Sequence, residues 1–231
     1  IDMSLKKIDS LIKLQRNYKN YEFKDLKLIA DDCIKFGTIP FSILARHGFI
    51  AKTLIDSLKN INILNQADVD SIFNSVKTIT SDFMKDISSL NTGIINISFF
   101  KEKYGHLRPG TYDLNSKSYR EMINVFANQK VNIIKHKKPN ISNEKIKRIN
   151  KLLSKNKVNL DYKSLVNYVN KAIRGREYAK FIFTKNIDLI LNLIEDFSNR
   201  HNVSKNHLTN LYITDFFNLN NIFKNENVLD Y

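Results

Sequence analysis

Apolar residues recur at spacings of three and four along most of the chain, and that period predicts helices. Leu5–Arg16 places Leu5, Ile8, Leu11, Ile12 and Leu14 mostly on one side. Tyr18–Phe23 reads as an aromatic connector. Lys24–Phe36 repeats the helical pattern through Leu26, Leu28, Ile29, Cys33 and Ile34. Gly37 is placed to stop that helix and Thr38 to cap the next, with Pro40 tolerated in its first turn. The next helix runs to about Lys59. Asn65 is expected to cap a further one, from Gln66 to about Leu90, and the two should pair as an antiparallel hairpin.

Gly93 closes this part. A short helix, Ser98–Tyr104, stops at Gly105. An irregular stretch reaches Asn115, Ser116–Asn128 reads as helical, and Val131–Ile134 as a short extended piece. Ser142 starts a helix carrying Ile146, Ile149, Leu152 and Leu153. Asp161 caps a long helix, Tyr162–Phe183, with Gly175 inside it, and Ile187–Asn199 continues as another helix or the same one. Ser204 opens a short helix, and Thr214 caps a last one over Asp215–Leu219. The expected fold class is all-α: residues 1–231 as a single, irregular multi-helix domain built from antiparallel helix hairpins.

Composition agrees with that picture. The 231 residues include 15 Phe and 10 Tyr, enough to fill a core, but only 6 Gly and 3 Pro, which disfavours a β-sandwich. Cys33 is the only cysteine, so neither a disulfide framework nor a Cys-based zinc site can be built. It reads as a buried apolar residue. No run of about 18 apolar residues occurs, so no membrane partner is expected. The start, Ile1-Asp2-Met3, has no signal-peptide pattern and lacks an initial Met. The expectation is therefore a piece of a longer, cytoplasmic chain.

Net charge is +14. The cations are mostly Lys, scattered on helix faces, and densest over Lys130–Lys151. That stretch reads as a solvated loop and helix face, with no nucleic-acid partner expected. A basic nucleic-acid-binding module stands as the alternative. Gly105 and Gly110 lack phosphate-loop spacing. His47, His106, His136, His201 and His207 lie too far apart in sequence for a metal pair, so no metal or cofactor is expected on this chain.

The chemistry gathers in Tyr104-Gly105-His106-Leu107-Arg108-Pro109-Gly110-Thr111-Tyr112-Asp113. One reading is a tight turn: Pro109-Gly110 favours type II, with Asp113 capping the next helical segment. The other is a polar pocket wall. Arg108 offers a planar fork for a carboxylate or phosphate, His106 a donor or acceptor, and Tyr112 and Asp113 groups to orient an amine or amide. Arg46-His47 on one helix, and Arg174, Arg176 and Lys180 on another, read either as solvated faces or as cationic edges.

Three segments together carry a resemblance: Phe36–Arg46, Tyr104–Asp113 and Arg176–Asn186. Their order and spacing resemble the central region of proteins related to phosphoenolpyruvate synthase and pyruvate phosphate dikinase. More narrowly, they are similar to the capsule-associated branch that includes L-glutamine kinase, which starts phosphoramidate synthesis. The likeness covers most of residues 36–218. It implies a three-part phosphotransferase requiring ATP and Mg2+. An ATP-grasp domain phosphorylates a histidine on a mobile domain, which then phosphorylates the side-chain amide of L-glutamine. ATP, L-glutamine and water give AMP, phosphate and L-glutamine phosphate. This chain would be the central domain, binding L-glutamine and docking the phosphohistidine domain.

By that resemblance His106 and Arg108 are catalytic, His106 as a base. Arg108 or Arg46 holds the acceptor carboxylate, and Asp113 its ammonium. Arg176 and Lys180 meet the incoming phosphate, while Tyr104, Thr111, Tyr112 and Asn186 complete the substrate-binding set. A dikinase with another small acceptor, such as pyruvate, and a helical spacer between catalytic domains are the remaining alternatives.

Overall fold

The computed structural model describes residues 1–126 and 136–226, without the side chains of 220–226. Its longest element is α9, Tyr162–Arg200. The Asp161 carboxylate caps it by accepting the Ser164 N–H at 2.7 Å. It runs 39 residues unbroken, about 58 Å at 1.5 Å per residue. Lys185, Asn186 and Asp188 interrupt the apolar run and leave a break possible from sequence. The helix stays whole because the two buried ones, Asn186 and Asp188, find lateral partners. Asn186 is fully buried. Its Oδ1 accepts from Gln15 Nε2 at 2.7 Å, and its Nδ2 donates to the Ile29 carbonyl at 3.2 Å and the Tyr18 hydroxyl at 3.3 Å. That hydroxyl donates to Asp32 Oδ2 at 2.9 Å.

Around α9 pack α1 (Asp2–Gln15), α2 (Leu26–Asp32) and α3 (Ile39–Asn60). A π-helical turn, Cys33–Thr38, joins α2 to α3, so the chain is helical from Leu26 to Asn60. Two sequence expectations fail here. Gly37 does not stop a helix. A Cβ on it would lie 2.6 Å from Phe183 Cβ and 3.1 Å from Leu11 Cδ2, so Gly37 lets the turn approach α9 closely. Thr38 is itself helical, and its hydroxyl donates back to the Ile34 carbonyl at 3.4 Å. With no unwinding, there is no free helix start to cap. Cys33 is buried as expected, and burial pushes its thiol up to about 12.

The segment expected as one helix from Gln66 is two: α4, Gln66–Asn74, and α5, Ile79–Asn91. Asn65 caps α4 as predicted, its Oδ1 accepting the Asp68 N–H at 2.9 Å. A second start intervenes at Thr78, whose N–H donates to the Ser81 hydroxyl at 2.9 Å. α4 therefore packs on α3, while α5 turns toward α6 (Ile97–Tyr104) and α9. α6 starts one residue before the expected Ser98 and is capped by Asn96, whose side chain accepts the Phe99 N–H at 2.8 Å.

Left-handed residues end four helices: Asn62, Gly93, Lys157 and Asn202. In each case the next residue's N–H reaches back into the last turn: Ile63 to Leu58, Ile94 to Ser89, Val158 to Leu153 and Val203 to Ser198. These bonds satisfy carbonyls that the helix itself leaves open.

Only Ile123–Phe126, α7, is helical in the described part of Ser116–Asn128. The residues before it are held otherwise: the Tyr119 N–H donates to the Leu107 carbonyl at 2.8 Å and the Arg120 N–H to the Gly105 carbonyl at 3.2 Å. The end of that predicted helix, the whole of Val131–Ile134 and the beginning of Lys130–Lys151 lie outside the described residues. Then come α8 (Asn143–Lys155), α10 (Lys205–Leu208) and α11 (Ile213–Glu226). Thr214 lies inside α11. Asp215 closes its start instead, accepting the Tyr212 N–H at 2.7 Å. Among the described residues there is no strand, and no helix is long and apolar enough to cross a membrane.

Three apolar clusters form the core, and α9 runs through all of them. Val169 and Ala172 meet Ile55 and Ile149. Phe181 and Phe183 belong with Leu44, Phe100 and Tyr104. Ile194 and Phe197 join Leu26 and Ile29. We predict that Gly37→Ala costs about 1–3 kcal/mol in urea unfolding, because its methyl has no room against Phe183. Gly48→Ala is the control. Its nearest foreign atom, Arg176 Cδ, is 3.7 Å away, and removing a helical glycine should gain up to about 1 kcal/mol.

Candidate functional site

The Tyr104–Asp113 stretch is first of all a folded turn. The Asp113 N–H donates to the Gly110 carbonyl at 3.0 Å, the Gly110 N–H to the Ser116 hydroxyl at 2.9 Å, and the Asn115 N–H to Asp113 Oδ1 at 2.9 Å. The hydrogen-bonded turn thus centres on Thr111-Tyr112 rather than Pro109-Gly110. Gly110 is not in the positive-φ region that type II would require there.

Arg108 closes this turn onto α9. Its Nε and Nη2 meet Asp188 Oδ1 at 3.0 and 2.9 Å. Nη2 also donates to Asn192 Oδ1, and Nη1 to the Ser116 carbonyl, each at 2.6 Å. Both ionic side chains are buried. Burial pushes the Asp188 carboxyl upward, and the guanidinium opposes that shift. The fork foreseen for a substrate carboxylate is occupied by the protein itself.

His106 lies against the same helix. It is 6% exposed, and its Nε2 is 2.9 Å from the Phe181 carbonyl. A carbonyl only accepts, so Nε2 carries the proton. Burial first, and then the Lys185 charge, pull the ring down to about 3. His106 is therefore a neutral imidazole near pH 7. Its buried Nδ1, a bare acceptor, has no partner among the described residues. Buried acceptors of this kind are uncommon and call for a ligand or water.

His106 and Arg108 line one pocket of about 290 Å³, together with Thr80, Thr111, Tyr119, Glu177, Lys180, and Thr184. The Thr184 hydroxyl shares the Phe181 carbonyl at 3.1 Å. Lys180 is exposed at the rim. Glu177 Oε1 accepts from Arg176 at 3.0 and 2.6 Å. The pocket thus offers a cation, a carboxylate and hydroxyls, while the unmet Nδ1 of His106, one of its lining residues, is itself closed off from solvent.

The other expected site residues lie elsewhere. Tyr104 is fully buried among Phe83, Phe100 and Phe181, its hydroxyl donating to Asp86 Oδ2 at 2.8 Å. Asn186 serves the network with Gln15 and Tyr18 on the far side of α9. Tyr112 and Asp113 line a separate apolar cavity of about 420 Å³ with Cys33, Leu191 and Phe216. Arg46 is exposed on α3, outside the pocket. Arg176 reaches it only through Glu177.

Sequence reading missed Glu177, Thr80, Thr184 and Asp188. One signal was present: Glu177, Lys180, Phe181, Thr184 and Asp188 follow the spacing of a single helix face. No group of His, Cys, Asp and Glu among the described residues could hold a metal ion. Comparison with protein-family models, curated proteins and solved structures finds no match.

Two outcomes test this geometry. Arg108→Ala should cost about 3–5 kcal/mol by leaving Asp188 buried without its cation, and Arg108→Lys should not restore it, because an ammonium cannot span the fork. Thermal and urea unfolding of the pair decide this. For His106, the unfolded ring takes a proton below its ordinary value near 6.5, whereas the folded ring stays neutral down to about 3. Stability should therefore fall on acidification through that window, by about 1.4 kcal/mol per pH unit from this residue. His106→Gln should flatten the pH dependence by that amount.

Proposed function

We propose that the chain is the acceptor-handling helical domain of a phosphotransferase like the L-glutamine kinases, and that the His106 pocket receives the acceptor. The observation that carries this reading is a small polar pocket in which Lys180 and Glu177 stand beside His106, whose buried Nδ1 has no partner among the described residues. A volume of about 290 Å³ suits an amino acid rather than a nucleotide. Lys180 meets the acceptor carboxylate, and Glu177, whose bonds to Arg176 both use Oε1, meets the ammonium. Nδ1, closed off in the free chain, accepts an N–H from the side-chain amide once the acceptor displaces the groups that cover it. Pyruvate has no N–H to offer, so an amide acceptor fits this site better.

The roles implied by resemblance are redistributed in this reading. His106 is too weakly basic to act as a general base near neutrality, so it orients the amide. Arg108 holds the wall. ATP and Mg2+ belong to the other domains, as does the phosphohistidine.

A second reading has its own support. Arg108, Tyr104 and Asn186 are all bonded within the protein, as a purely structural spacer would require. Calorimetric and NMR titration of the chain with L-glutamine separates the two. The acceptor reading expects saturable binding, weaker binding of L-glutamate, and at least a tenfold loss in Lys180→Ala, about 1.4 kcal/mol, with an unchanged melting temperature. Absence of saturable L-glutamine binding at millimolar concentration favours the spacer and overturns the acceptor site.

A further inference from the structure

A second polar cleft, of about 600 Å³, opens between α1, the turn joining α4 to α5, and the first half of α9. α9 supplies Asn167, Asn170, Lys171, Arg174 and Tyr178, which follow one helix face by their spacing of three and four. The α4–α5 turn adds Ser75 and Lys77, and α1 adds Asp9. The break at Thr78, unseen in the sequence pattern, is what brings Ser75 and Lys77 here.

Its charges are unevenly committed. Lys77 pairs with Asp82 at 3.2 Å and Lys171 with Asp2 at 2.5 Å, both at exposed positions. Such pairs are weak and exchangeable. Among the described residues, Arg174 forms no ion pair and no side-chain hydrogen bond. A guanidinium, two ammonium groups, two amides and two hydroxyls therefore face one carboxylate across the cleft. The Ser75 hydroxyl donates to the Ile72 carbonyl at 2.6 Å and the Asn170 amide to the Val166 carbonyl at 2.9 Å, but the three cations leave the lining rich in donors, which suits a group with several acceptor oxygens. A guanidinium fork matches phosphate geometry in particular. Asp9, on the opposite wall, suits a hydroxyl or amine on the rest of the ligand.

We propose that this cleft binds a small organic phosphate, with Arg174 as its anchor, Lys77 and Lys171 completing the anion site, and Asp9 receiving a donor from the organic part. The site is distinct from the His106 pocket, with which it shares no lining residue. It stands whatever the acceptor pocket binds.

Isothermal titration of the chain at low salt with ribose 5-phosphate, pyrophosphate and unphosphorylated ribose tests it. The expected result is saturable binding of at least one phosphate compound and none of ribose. Arg174→Ala should weaken that binding at least tenfold without moving the melting temperature, and Lys77→Gln should weaken it less. Lys180→Ala, in the other pocket, and Arg148→Ala, on the exposed basic face of α8, should leave it unchanged. Failure of both phosphate compounds to bind overturns the proposal. So does equal weakening by Arg148→Ala, because the binding would then follow net charge rather than this cleft.

Discussion

A helix of 39 residues satisfies its own backbone and a short buried hydroxyl such as Thr184, which bonds the Phe181 carbonyl of the same helix, but longer buried polar side chains need partners on other elements. α9 carries two of these in its middle, Asn186 and Asp188. They are two residues apart, hence about 200° around the helix axis, and face opposite sides. The Asn186 bonds fasten α1, the Tyr18 turn and α2 to one side. The Asp188 bonds fasten Arg108, and with it the 105–118 segment, to the other. A buried polar group left unpaired costs about 1–3 kcal/mol, so each bond set also penalises a rotation of α9. The apolar clusters supply the driving force, and these two residues fix the azimuth at which it acts.

The pocket depends on that azimuth. With Arg108 clamped to Asp188 and Asn192, His106 is carried against the Phe181 carbonyl. The carbonyl takes its proton-bearing nitrogen and leaves the other nitrogen unsatisfied. Glu177, Lys180 and Thr184 arrive on the same face because they precede Asp188 at helical spacing. Arg108 and His106 adjoin the same pocket but differ in kind: one has its donors taken by the protein, and the other keeps a vacant acceptor.

Much of the fold was legible because its signals are local. Asn65, Ser142 and Asp161 cap helices where the pattern placed them, since a short polar side chain ahead of an apolar period depends on nothing distant. Gly37 was misread because its cause is distant: only the approach of Phe183, nearly 150 positions along, distinguishes a contact glycine from a stopping one. Asn186 and Asp188 interrupt the apolar pattern because their partners lie on other elements. The same distinction governs the site. His106 and Arg108 stood out as chemistry, but only the structure separates a bonded guanidinium from an unbonded imidazole nitrogen. Tyr112 and Asp113 come so soon after Arg108 that sequence grouped them with it, yet the chain turns at Thr111 and delivers them to the apolar cavity.

A neutral acceptor, rather than a base, has a consequence for the proposed chemistry. Phosphoryl transfer passes through a loose transition state in which bond formation to the incoming nucleophile lags behind departure of the leaving group, so positioning and charge contribute more than early proton removal. An amide nitrogen is a poor nucleophile, and holding one of its N–H groups on a fixed lone pair aims it without demanding a proton that His106, at about 3, cannot take near neutrality. Burial gives that lone pair its direction: a solvated imidazole would be met by water on either nitrogen, whereas this one has a single nitrogen left to offer. In the proposed reading, the burial that rules His106 out as the base is also what makes it a selective acceptor. In this reading the amide proton leaves only after the phosphorus–nitrogen bond has begun to form, when its acidity has risen, and it passes to the imidazole nitrogen from which the phosphoryl group departs.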